Sequence, residues 1–212
     1  MISGALWNII LGIAGGIISS VIVTRVFLLQ SEIQNYLDSL EFGLNKINYL
    51  HGMMHVLKII LQQKFDEQEK KHSEMEKKGY KTEAEYYAAH KGIRWIDADE
   101  LQKEIISKAN AEADKIYDEL RNMNVKGKEA NKVMQAYVDY VTKIQSMKEV
   151  PFTLIDETTR LHDKAAAQFA EYKKKSSKRL MKRLFTDKVM IVLYIVVFVI
   201  VLASVATKIA GL

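Results

Sequence analysis

Residues 5–47 read ALWNIILGIAGGIISSVIVTRVFLLQSEIQNYLDSLEFGLNKI, and this stretch decides the fold. Ala5 to Val23 is nearly all apolar, and no charged residue occurs between Met1 and Thr24. A hydrocarbon core about 30 Å thick takes roughly 20 helical residues to cross, so the stretch predicts a transmembrane helix. A cleavable signal peptide would need a positive start, a shorter apolar run and a small-residue cleavage site, none of which is present. The same stretch carries a helical seam. Asn8, Gly12, Gly15, Ser19, Ile22, Val26 and Leu29 recur at alternating spacings of four and three. The seam continues through Ile33, Leu37, Leu40, Leu44 and Ile47 after one extra four-residue step. A stripe held in register this long predicts one continuous helix to about Lys78, before Gly79.

The other end of the chain has the same character. Val189 to Thr207 is a run of 19 uncharged residues between Lys188 and Lys208, rich in Val and Ile. Before it, residues 173–188 (KKKSSKRLMKRLFTDK) hold eight of the 31 basic residues and one of the 26 acidic ones, which leaves 23 basic against 25 acidic elsewhere. The net charge of +5 is therefore a local patch, which argues against a nucleic-acid surface spread over a fold. Arg25 and this patch flank the interior sides of the two apolar runs. The positive-inside rule then assigns three regions: transmembrane helix 1 at 1–29 with its N-terminus outside, a cytoplasmic part at 30–187, and transmembrane helix 2 at 188–212 with its C-terminus outside. The expected location is a bacterial inner (plasma) membrane, crossed twice.

Between the anchors the composition is helix-forming, with one Pro and no Cys. The lack of Cys excludes disulfides and thiolate chemistry. Thr82 with Glu85, and Asp97 with Glu100, are capping-box patterns that start a short helix and a longer one ending near Met123. A loop around Gly127 and a helix stopping before Pro151 follow. The last helix is expected to begin near Thr153. Thr158, Leu161, Ala165, Phe169, Tyr172, Ser176 and Leu180 keep an eleven-residue rhythm that predicts an uninterrupted run into the second span. The expected fold is an all-α membrane protein. Its terminal transmembrane helices continue into a long antiparallel cytoplasmic stalk, coiled-coil-like, capped by a distal four-helix bundle.

Five sets of residues are candidates for function. Asn8, Gly12, Gly15, Gly16 and Ser19 form a small, polar face on the first span, suited to close helix packing or to lining a pore. Ile33, Leu37, Leu40, Leu44 and Ile47 form a stalk seam that two helices alone should not cover, which predicts a homo-oligomer. Lys173, Lys174, Lys175, Lys178, Arg179, Lys182, Arg183 and Lys188 suit anionic lipid headgroups as well as setting topology. Tyr80, Tyr86, Tyr87, His90, Arg94 and Trp95 gather near the far tip, where they either cap the bundle or hold a ligand or partner. His51 and His55 sit one helical turn apart, but candidate third ligands such as Asp38 lie too far along the helix, so no metal site is expected.

No phosphate loop, H-E-x-x-H or G-x-S-x-G occurs, so no enzyme and no cofactor is expected. The pattern fits a non-enzymatic homo-oligomeric membrane assembly, a pore or membrane-disrupting effector whose clustered first spans are coupled to the cytoplasmic helices. The alternative is a membrane-anchored scaffold that docks a cytoplasmic protein partner. Expected partners are further copies, membrane lipids and such a protein, with no nucleic acid.

Overall fold

The computed structural model describes residues 4–89, 98–147 and 152–209. Every element in them is helical. The order is α1 (Gly4–Lys78), α2 (Glu83–Ala89), α3 (Ala98–Asn122), α4 (Lys128–Gln145), α5 (Phe152–Lys174), α6 (Ser176–Thr186) and α7 (Lys188–Ile209). The protein is all-α. Two of its helices contain windows long and apolar enough to cross a membrane. One lies at the start of α1, with mean hydropathy 2.1, and the other is Lys188–Ala206, with mean hydropathy 3.2.

α1 runs unbroken for 75 residues and ends where the seam predicts. Gly79 takes φ +71°, a left-handed conformation that costs other residues steric strain, and it stops the helix. Thr82 then begins α2. Its hydroxyl accepts the Glu85 amide at 3.3 Å, while the Glu85 carboxylate accepts the Lys81 amide at 2.8 Å, a capping box reaching back one residue further than usual. Gly127, at φ +110°, opens α4. The expected cap at Asp97 and the stop at Pro151 lie outside the described residues.

One expectation fails. The last helix does not run uninterrupted into the second apolar segment, because it breaks at Lys175 and again at Asp187. At Lys175 the helix only slips: its amide is shared between the carbonyls of Glu171 and Tyr172. At Asp187 it ends. The backbone is extended there (φ −71°, ψ 126°), and the carboxylate accepts the Met190 amide at 3.2 Å, capping α7. An Asp before an apolar run gains more as an N-cap than as an interior residue, and this preference overrides the eleven-residue rhythm.

The chain forms two compact units, Met1–Asp38 with Glu171–Leu212, and Ser39–Ala170. In the first, the apolar windows of α1 and α7 are 0% and 6% buried. The second has a bundle-like core to which four helices contribute. Leu40, Ile47, Leu50, Met54 and Leu57 of α1 are at most 1% exposed, as are Ala113, Ile116 and Leu120 of α3, Tyr137, Tyr140, Val141 and Ile144 of α4, and Ile155 and Ala165 of α5. Gly43 belongs to that core by its lack of a side chain. A Cβ there would meet the Tyr137 ring at 3.0 Å and Leu120 at 3.1 Å, so α1 approaches this closely only because position 43 is glycine.

The proposed oligomer seam is largely buried inside the single chain. Ile33 and Leu37 are each 7% exposed, Leu40 and Ile47 are fully buried, and Leu44 is half-buried. The premise that this stripe needs a second copy is therefore corrected: the chain covers it. A different face of α1 stays open. Phe42, Tyr49 and Val56 are exposed and seven residues apart, with exposed Ile59 one helical turn further on.

Candidate functional site

Two clusters gather polar chemistry, one in each unit. The first stands just past the apolar windows. Arg25 reaches Asp187, 162 positions away, with a two-pronged grip: Nε donates to Oδ1 at 3.1 Å and Nη2 to Oδ2 at 2.6 Å. Such fork-to-fork pairs fix orientation as well as charge. Asp187 holds this contact while capping α7, so one carboxylate ties the start of α7 to α1. Two turns along α1, Glu32 receives Arg183 at 2.6 Å and the Tyr36 hydroxyl at 2.8 Å. Bonds from Arg183 first and Tyr36 second hold the Glu32 carboxyl below its usual range. Arg25, Leu29, Glu32, Arg183, Thr186 and Asp187 together line a shallow cleft.

This geometry divides the predicted cationic patch. Arg183 is committed to Glu32, and Lys175 pairs with Glu171 four residues back. Arg179 donates to the Tyr172 carbonyl and stacks its guanidinium 3.5 Å from the centre of the Tyr172 ring. Lys174, Lys178, Lys182 and Lys188 are exposed, as is Lys173. The patch is therefore part fastening and part surface.

The second cluster was only half visible in the sequence. His51 and His55 lie on α1 with ring centres 6.1 Å apart, and His162 of α5 stacks on His51 at 4.0 Å with the planes 7° from parallel. Tyr140 meets both stacked rings edge-on, at 6.4 and 5.9 Å. His162 places Nε2 2.8 Å from the Asn48 amide oxygen and Nδ1 3.3 Å from the Asp163 carboxylate. His51 Nδ1 is buried without a hydrogen-bond partner. Burial, and then the neighbouring His162 and His55, lower the His51 pKa. The rings line an open cleft of about 340 Å³ with Asn48 and Gly52. Stacked rings turn their nitrogens away from a common point. In keeping with that, no group of three or more His, Asp or Glu among the described residues is arranged to hold a metal ion. The missing signal was His162, which lies 114 positions from Asn48 and follows no local spacing.

The other predicted residues fall as follows. Among the described residues nothing lies within 4 Å of where a Cβ would stand on Gly12, Gly15 or Gly16, and Ser19 is exposed. Asn8 is helical, and its side chain lies outside the described residues. At the tip, Tyr86 is buried, with the rings of Tyr80 and Tyr87 at 5.9 and 5.8 Å in edge-on contact. Lys71 caps the Tyr87 ring at 4.7 Å. These three tyrosines pack α2 onto the end of α1, whereas His90, Arg94 and Trp95 lie outside the described residues.

No protein-family model, curated protein or solved structure matches the chain.

Proposed function

We propose that this chain is a two-pass membrane protein that assembles with copies of itself, clustering its first spans and coupling them to the cytoplasmic bundle without enzymatic chemistry. One observation carries the reading. The most apolar helical windows are 0% and 6% buried, whereas an apolar helix of a water-soluble core would be mostly covered. In water that exposure would be strongly unfavourable, and in lipid it costs nothing. The positive charge at Arg25 and in the cationic patch supports a cytoplasmic bundle, and a bacterial inner membrane is the proposed location.

Self-association rests on two open faces. Among the described residues nothing lies within 4 Å of where a Cβ would stand on Gly12, Gly15 or Gly16, and small-xxx-small faces let helices approach closely in lipid. The heptad-spaced row Phe42, Tyr49 and Val56 offers an apolar contact in the bundle unit. A ring of such first spans is the geometry of a pore or membrane-disrupting effector. Light scattering of the detergent-solubilised protein should give the mass of several chains, and Gly12→Leu with Gly15→Leu should reduce it. A wild-type monomer would sink the assembly reading. Full function after both spans are exchanged for plain leucine-rich anchors would favour the scaffold alternative.

A further inference from the structure

α6 is a separate element, set off from α5 at Lys175 and from α7 at Asp187. Its two faces differ. Arg179, Leu180, Arg183 and Leu184 are half-buried, and the two arginines are bound to Tyr172 and Glu32. The opposite face is open and has two rows at four-residue spacing. One is apolar, with Met181 53% and Phe185 65% exposed; the other is cationic, with Lys178 and Lys182. Neither lysine makes an ion pair among the described residues. The Phe185 ring lies 6.4 Å from that of Tyr194, so the apolar row continues directly onto the exposed surface of α7.

We propose that this face of α6 lies against the cytoplasmic leaflet, with Met181 and Phe185 inserted among the acyl chain ends and Lys178 and Lys182 on anionic lipid headgroups. This rests on the membrane reading above and narrows it: two residues of the eight-residue patch read lipid, while Arg179 and Arg183 hold the fold. The occupant follows from the pairing of rows. A basic amphipathic helix buries its apolar side at the headgroup–acyl boundary, and each lysine near an anionic surface adds to the attraction. The apolar row also runs straight into a helix whose own surface requires lipid.

The test uses the full-length protein in nanodiscs of phosphatidylcholine alone, or with added phosphatidylglycerol, followed by hydrogen exchange of the amides at 176–186. Exchange of α6 should slow on the order of tenfold when the anionic lipid is present. Lys178→Gln with Lys182→Gln should remove that response, and Lys178→Arg with Lys182→Arg should keep it. Unchanged protection across Ser39–Ala170 in both variants verifies that they are folded. Equal α6 exchange in the two lipids, or a glutamine variant that responds like wild type, overturns the inference while leaving the membrane reading intact. Failure of the chain to enter the discs at all overturns both.

Discussion

The two units keep their apolar residues in opposite places. In Ser39–Ala170 they point inward: Leu50, Leu57 and Ile144 are fully buried. In the unit of Met1–Asp38 with Glu171–Leu212 those of the two apolar windows point outward, Ile13 61% and Phe198 64% exposed, while Ile33 and Leu37 beyond them are covered. The fastenings differ accordingly. The inward unit is held by packing, and its ion pairs Lys46–Glu119, Lys58–Asp156 and Lys143–Glu157 stand at the surface, where such pairs add little. In the other unit the bidentate Arg25–Asp187 pair, with Asp187 14% exposed, joins the two chain segments, while Arg183–Glu32 is as exposed as the surface pairs of the first. One solvent rule does not describe both, and that contrast can be tested.

The largest expected effect is a core truncation. Leu50→Ala should cost about 2–5 kcal/mol of bundle stability in chemical denaturation, whereas Ile13→Ala should leave that transition unmoved. Similar losses from both would erase the distinction. Gly43→Ala comes next, at about 1–3 kcal/mol, because the added methyl meets the rigid Tyr137 ring as well as a Leu120 methyl. Thermal unfolding followed by circular dichroism checks it.

In the histidine range a pH effect should come from the inward unit. Burial and the flanking imidazoles lower the His51 pKa, so the unfolded chain binds its proton more readily than the folded one does. Stability is then full above the ordinary histidine value near 6.5 and declines as the pH drops below it. His51→Gln should flatten that decline in urea titrations run across the range. The smallest change is Tyr137→Phe. The Tyr137 hydroxyl is fully buried without a hydrogen-bond partner, so removing it should be neutral or stabilise by up to about 1 kcal/mol. A clear destabilisation there would reveal a partner for the hydroxyl.

Local signals were legible in the sequence and distant ones were not. The extent of α1 followed from its periodicity and Gly79, and the start of α2 from Thr82 and Glu85. The break at Asp187 also had a local sign, a capping residue just before an apolar run. That sign competes with the rhythm ending at Leu180, which favours continuity. The coverage of Ile33 to Ile47, the closeness of Gly43 to Tyr137 and the stacking of His162 on His51 all join residues far apart in sequence. Periodicity identifies the face that must be covered, but not what covers it. The division of the cationic patch was hidden for the same reason, since Glu32 and Tyr36 lie well over a hundred positions from Arg183.

The single extended residue at Asp187 has a mechanical consequence. An unbroken helix passes rotation about its axis from one turn to the next, and α1 is unbroken from Gly4 to Lys78. At Asp187 the backbone turns extended, yet its amide donates to the Arg183 carbonyl at 2.8 Å, its carbonyl accepts the Ile191 amide at 2.9 Å and Arg25 grips its carboxylate. α1 is thus stiff through its own backbone ladder, whereas the joint before α7 borrows its stiffness from a side chain of another helix.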